Sequence, residues 1–275
     1  MVNISCNNLI QIHNQALVEC SNKYKFDHCL NAILTKIYSN LGVYNTLYWQ
    51  LNHYNEARII ARSALESILL FSYLITHLEE IPKYYDEAIL LKFKNSFIEI
   101  KQSNSKLYTN LFSDTQLKLY QEDCIIKNKE IFKFLSNSRQ KEILKVLNVN
   151  EYTINNDNFN KIDKYLQDID LKFQKFYKLF IEMEKITDLQ INMKDFLFSY
   201  YNEYSQICHG ALYSCLDKTD EFNVFNDFNF IKWALDILII ICDYVKMPIS
   251  DNYRQLFFRE VENLNRKISS IICTQ

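Results

Sequence analysis

The chain has 275 residues, with 31 Lys+Arg against 33 Asp+Glu and a net charge of -2. A chain of this length buries a core without disulfides or metals, and its charge balance removes any global electrostatic drive toward nucleic acid. Only 2 Gly and 2 Pro occur. So few turn residues exclude sandwiches, barrels and dinucleotide-binding sheets, and leave no Gly-rich loop to cradle phosphate.

Apolar residues recur at helical spacing from end to end, which predicts an all-α multi-helix bundle of about nine or ten helices. The first helix is expected over 8–21. The second starts after Asp27, an N-cap residue type, and runs to about Leu51 with Gly42 inside it, marking a close contact or a kink. Asn55 is placed to cap a third helix, 56–80. Pro82 suits the first turn of a fourth, 83–102. Ser113 and Gln116 have capping-box spacing and open a fifth, to Leu135. A short helix follows over 139–147.

The Asn-rich stretch 148–160 reads as a loop. Leu166, Ile169, Phe173, Phe176, Phe180 and Met183 then form one stripe, which predicts a single long amphipathic helix over 161–186. Further helices are expected over 193–216, 229–246 and, after Pro248, 251–272. No repeat or low-complexity linker interrupts the chain. One helical domain spanning 1–275 is expected, with 148–160 as the point of any subdivision.

The chain carries 8 Cys, none in C-x-x-C spacing. Most sit among apolar neighbours and read as small buried hydrophobes. His13 with Cys20, and His28 with Cys29, supply too few ligands for zinc, so neither metal nor cofactor is expected. No secretory leader is visible at the N-terminus. The most apolar stretches, 67–78 and 233–242, fall short of the roughly 18 residues a bilayer span needs. The protein is therefore expected to be soluble and cytoplasmic, without a membrane partner. Two charged surfaces read as solvated faces: the acidic Glu79, Glu80, Asp86 and Glu87, and the basic face of Lys127, Lys129, Lys133, Arg139, Lys141 and Lys145.

The third helix holds the first candidate site. Between Ala57 and Leu78 its only charged residues are Arg58, Arg62 and Glu66. At one residue per 100° they span about 80° of the helix, a sector shared with Leu65, Leu69 and Tyr73. A helix this apolar is a central one, so these charges need partners or a wet cavity. Arg62 and Glu66 reach each other at i,i+4; the surplus arginine calls for another anion, such as a ligand phosphate. Late in the chain Tyr201, Ser205 and His209 step by four along one track, followed by Gly210 in a helical pattern. If the two helices meet, His209 is the candidate general acid or base, Arg62 the group that stabilises phosphate, Glu66 the group that orients the imidazole or balances Arg62, and Ser205 their neighbour. Arg58 and Tyr201 complete the set as candidate ligand-binding residues. The same residues also serve as a purely structural polar network that fixes helix register.

The segments Arg62-Ser-Ala-Leu-Glu66 and Tyr201-Asn-Glu-Tyr-Ser205-Gln-Ile-Cys-His209-Gly210 resemble an uncharacterised bacterial all-helical family that pairs an R-x-x-x-E helix with a later S-x-x-x-H helix. That resemblance covers about residues 30–245 and implies an all-α fold with a shared polar pocket. More loosely, the chain is similar to HEPN-type helical ribonucleases of toxin and phage-defence systems. Their motif sets Arg and then His on one helix with four to six residues between them, and none of His13, His28, His53, His77 or His209 has an Arg at that spacing before it. A site of that type here has to draw Arg62 or Arg58 from a different helix to His209. The implied function is a metal-independent nuclease or phosphoryl-transfer effector acting on RNA or a nucleotide. The alternatives are a non-catalytic sensor of an anion or nucleotide, and a helical module that binds a partner protein or a second copy.

Overall fold

The computed structural model describes residues 5–174, 176–184, 200–201, 204 and 224–272. The protein is an all-α multi-helix bundle, with no strand among the described residues. The helices are α1 (Asn7–Tyr24), α2 (His28–Trp49), α3 (Tyr54–Thr76), α4 (Ile81–Ser103), α5 (Lys106–Leu111), α6 (Asp114–Phe134), α7 (Asn137–Leu147), α8 (Asn156–Asp168), α9 (Phe176–Glu184), α10 (Val224–Tyr244) and α11 (Asp251–Ile272).

Several ends form as the sequence predicts. The Asp27 side chain accepts the Cys29 N–H at the start of α2, Pro82 sits in the first turn of α4, and Ser113 and Gln116 close a capping box on α6. Asn55 does not cap α3; His53 holds the N-cap position without a side-chain bond. With glycine so scarce, other residues end the helices in the left-handed region. Lys25, Asn148 and Lys246 have φ of 50°, 58° and 59°. Each lets the next N–H return to a carbonyl five residues back: Phe26 to Ser21, Val149 to Leu144 and Met247 to Cys242.

The chain divides into two compact units, one formed by 1–78 with 176–275 and the other by 79–175. The expected division at 148–160 is therefore misplaced, because that segment belongs to the core of the second unit. Tyr152 is buried there, and Val149 and Ile154 pack against the same cluster. The loop is also shorter than expected: Asn155 accepts the Asn158 N–H and starts α8.

In the second unit, Leu90, Phe93 and Phe97 of α4 pack with Phe132, Leu147 and Leu166. The Tyr152 ring stacks on Phe132 with centroids 4.1 Å apart, and its hydroxyl donates to Asn128 Oδ1 at 2.6 Å. The Asn128 amide donates in turn to Ser96 Oγ at 2.7 Å. A fully buried amide is thus satisfied from two other elements, which fixes the register of α4 against α6. The single helix expected over 161–186 is broken. Ile169 turns extended, with ψ 123°, and a 3-10 turn spans Lys172–Gln174. The Glu87 carboxylate accepts the backbone N–H groups of Lys172 and Phe173 at 3.1 and 3.0 Å. These donors bond to α4 instead of continuing the helix.

In the first unit α3 packs most extensively on α2, and also meets α9 and α10, while α11 lies on α1. By length and composition α3 is the one described helix apolar enough to cross a bilayer, with mean hydropathy 1.5 over its best window, yet 61% of that window is buried within the protein. A core helix passes the same test. His13 is fully buried, its Nδ1 2.7 Å from the Tyr38 hydroxyl and its ring edge-on to Phe257.

Two outcomes follow from this packing. A Cβ added at Gly42 meets nothing within 4 Å, so the close contact expected there is absent. Gly42→Ala should stabilise the protein by about 0.5–1 kcal/mol through helix propensity and reduced unfolded-state freedom, read as a raised Tm. Burial pushes the His13 pKa down to about 3, against a smaller opposing pull from the Leu235 backbone. Between pH 6.5 and 3 the unfolded chain therefore binds more protons at this site than the folded one, and stability falls as pH falls. From pH 7 to 5 the wild type should lose about 2 kcal/mol more unfolding free energy than His13→Gln, measured by urea titration.

Candidate functional site

The candidate site rests on α3. Its inner face is fully buried at Ala57, Ala61, Ala64, Leu65, Ile68 and Leu69, whereas Arg62, Ser63, Glu66 and Leu70 are half-buried and Ile59 is exposed. The three charges do not share one environment, as a helix buried on all sides would require. Arg58 is 6% exposed. Arg62 and Glu66 occupy a wetter edge, with side chains 21% and 43% exposed. The exposure of the three charges follows their distance round the helix from the alanines at 57, 61 and 64, with Arg58 nearest that buried face and Glu66 opposite it. The alanines let α3 approach its neighbours closely on one side, and the longer charged side chains are left on the other.

Arg62 is held from two directions. Its Nε donates to Glu66 Oε1 at 3.2 Å, one helical turn on. Its Nη2 donates to the Tyr201 hydroxyl at 3.3 Å, and the guanidinium carbon lies 5.2 Å from the centre of the Tyr201 ring. Arginine is suited to this double use: the delocalised cation is attracted to an aromatic ring while its N–H groups donate to oxygens. The carboxylate then fixes the rotation of the guanidinium plane. Tyr200 and Tyr204 anchor the segment that presents Tyr201, for both pack on Phe230 of α10 at 5.5 and 5.7 Å, and Tyr204 is buried.

The structure therefore brings together Arg62, Glu66 and Tyr201, with Arg58 one turn earlier on α3. Ser205 and His209, and Gly210 after them, lie outside the described residues. His28 and His53 sit at the starts of α2 and α3, and His77 stacks on Tyr73 at 4.5 Å. Several charges of the two surfaces in the second unit are paired, and Arg139 with Asp86 joins one surface to the other. Lys127 pairs with Glu99, Lys133 with Glu130, and Arg139 with both Asp86 and Glu142. Glu80 pairs with Lys83 and Lys172, which hold its carboxyl below the usual range. No three His, Cys, Asp or Glu side chains converge as a metal site among the described residues.

Sequence reading passed over a second polar centre in the first unit. His13 and Tyr38 pair in the core, and the thiols of Cys20 and Cys242 meet nearby, raising the Tyr38 pKa beyond the effect of burial alone. The signal in the sequence was slight: His13 and Cys20 stand seven residues apart on one face of α1, while their partners lie on other helices.

Comparison with protein-family models, with curated proteins and with solved structures finds no match for this chain.

Proposed function

We propose that this chain recognises a phosphate-bearing ligand, a nucleotide or RNA, at Arg62 and Tyr201. The observation that carries this reading is the guanidinium fixed between Glu66 and the Tyr201 ring at a water-accessible edge of α3. An arginine whose plane is already set loses less freedom on binding, and its planar fork suits two oxygens of one phosphate. Tyr201 adds a face for a base or sugar to lie against, and Glu66 keeps the resting site from accumulating unbalanced charge. The looser similarity of the chain to HEPN-type helical ribonucleases favours RNA over a free anion as the ligand.

A catalytic form of the same reading has a specific ground. Tyr201 bonds Arg62, and Ser205 and His209 follow Tyr201 at steps of four in the sequence. In that form His209 donates or accepts the proton of a metal-independent phosphoryl transfer, and Arg62 stabilises charge on the equatorial oxygens.

Arg62→Lys tests the recognition step, because it keeps the charge and removes both fork and stacking. Binding of a fluorescein-labelled single-stranded RNA or of a nucleotide, followed by anisotropy or calorimetry, should weaken about tenfold or more, with the Tm changed by only a few degrees. Unchanged affinity would remove the proposal. His209→Ala separates the two forms: loss of turnover with binding retained identifies the transferase or nuclease, and binding without turnover in the wild type identifies a sensor.

A further inference from the structure

Two thiols far apart in sequence meet inside the first unit. Cys20 belongs to the last turns of α1, and Cys242 to the last turn of α10. The Cys20 thiol donates to the Met247 carbonyl at 3.2 Å, and the Met247 N–H returns to the Cys242 carbonyl at 2.8 Å, which sets the Cys20 sulfur beside the end of α10 and within reach of the Cys242 thiol. Both are free thiols. Their surroundings differ in one respect that matters for reactivity. Cys242 has no exposed surface, whereas Cys20 forms part of the wall of a cleft of about 250 Å³ between α1 and the start of α11. Glu19, Lys23, Ser250 and Asp251 line the same cleft. Cys20 thus borders an entry route, and Cys242 is fully enclosed.

The electrostatics follow the same order. The hydrogen bond from Cys242 holds the Cys20 thiol below its ordinary range, opposing burial and assisted by the Lys23 cation. That bond and burial together push Cys242 far above its own range. The other described cysteines lack this arrangement: burial pushes Cys6 up to about 12 and Cys29 up to about 11, and burial also raises Cys124. A thiol that lines a cleft and has a second thiol beside it is the combination found at reactive cysteines.

We infer that Cys20 and Cys242 form a redox-active dithiol, in which Cys20 reacts with a small hydroperoxide entering the cleft and Cys242 resolves the product into a disulfide. The Cys20 thiolate attacks one peroxide oxygen; the S–O bond forms as the O–O bond breaks, and the departing oxygen leaves as water after taking a proton. Cys20 is then a sulfenic acid. The Cys242 sulfur attacks the Cys20 sulfur, the S–S bond forms, the S–O bond breaks, and the Cys242 proton leaves with the hydroxyl as a second water. Two thiols lose two electrons in total, and one hydrogen peroxide becomes two waters. The product ties α1 to α10, and a dithiol reductant reverses it.

The test treats the folded full chain with hydrogen peroxide, blocks remaining thiols with an alkylating agent and maps the non-reduced peptides by mass spectrometry. A Cys20–Cys242 linked peptide that dithiothreitol abolishes is the expected result, accompanied by a raised Tm. Cys242→Ser should leave Cys20 as a sulfenic acid that dimedone traps, and Cys20→Ser should leave Cys242 alkylated and unoxidised. Circular dichroism verifies that each variant is folded, and the wild-type result stands by itself if one is not. Recovery of both thiols fully alkylated after peroxide overturns the proposal. So does a linkage that forms only in denaturant, or a Cys20 joined equally to other cysteines.

Discussion

The packing of α3 against α2 is the constraint that organises the first unit. α3 presents Leu65, Ile68, Leu69, Phe71 and Leu74 with no exposed surface, and burying side chains of this kind contributes roughly 1.5–3 kcal/mol each. That gain draws the second half of α3 inward on nearly every side, and in the first half Ala57, Ala61 and Ala64 mark the side that turns to the core. Once the alanine-rich face turns inward, Arg62 and Glu66 have only the wetter edge available to them, and Arg58, nearer the helix start, is drawn under the surface. The candidate site is thus a consequence of hydrophobic rotation as much as of any pairing between charges.

What the site does with that rotation is chemical. A lone guanidinium near a low-dielectric surface is costly, and the protein answers with a carboxylate one turn away and an aromatic ring from a distant part of the chain. The i,i+4 order of Arg before Glu is the less favourable one for helix stability, so the pair earns little as a simple helix brace. Its effect is orientation: the Glu66 carboxylate and the Tyr201 hydroxyl take hydrogen bonds from different nitrogens of the same planar group. A ligand phosphate would meet a donor array whose direction is already set.

Much of this was legible in the amino acids. Asp27, Pro82 and the Ser113–Gln116 box carry local stereochemistry, and local rules sufficed to place the helix starts they control. Arg62 and Glu66 were legible because one turn of a helix joins them, and Tyr201 because it lies on a stripe of polar tips. Most of the failures share one cause, a partner far away in sequence. The stripe through Phe173 and Met183 is periodic, yet Glu87 withdraws two N–H groups from that stretch and ends the helix. The segment 148–160 looks polar and unstructured, yet Tyr152 has a stacking ring and an amide acceptor waiting on α6. α5 is only six residues long, too short to establish a period. Cys20 and Cys242 each read as a small apolar residue until the fold sets them side by side.

The interruption of the first unit by residues 79–175 has a bearing on how the protein is made. The inserted unit is continuous in the chain, so all of its core can condense as soon as it leaves the ribosome. The first unit has no such freedom. The inner face of α1 is covered by α11, and α3 lacks α9 until residue 184 has been synthesised and α10 until residue 244 has been. During that interval an unusually greasy helix is without its final neighbours. Nascent-chain protection, by a chaperone or by provisional pairing of α2 with α3, is the requirement that this order of synthesis imposes.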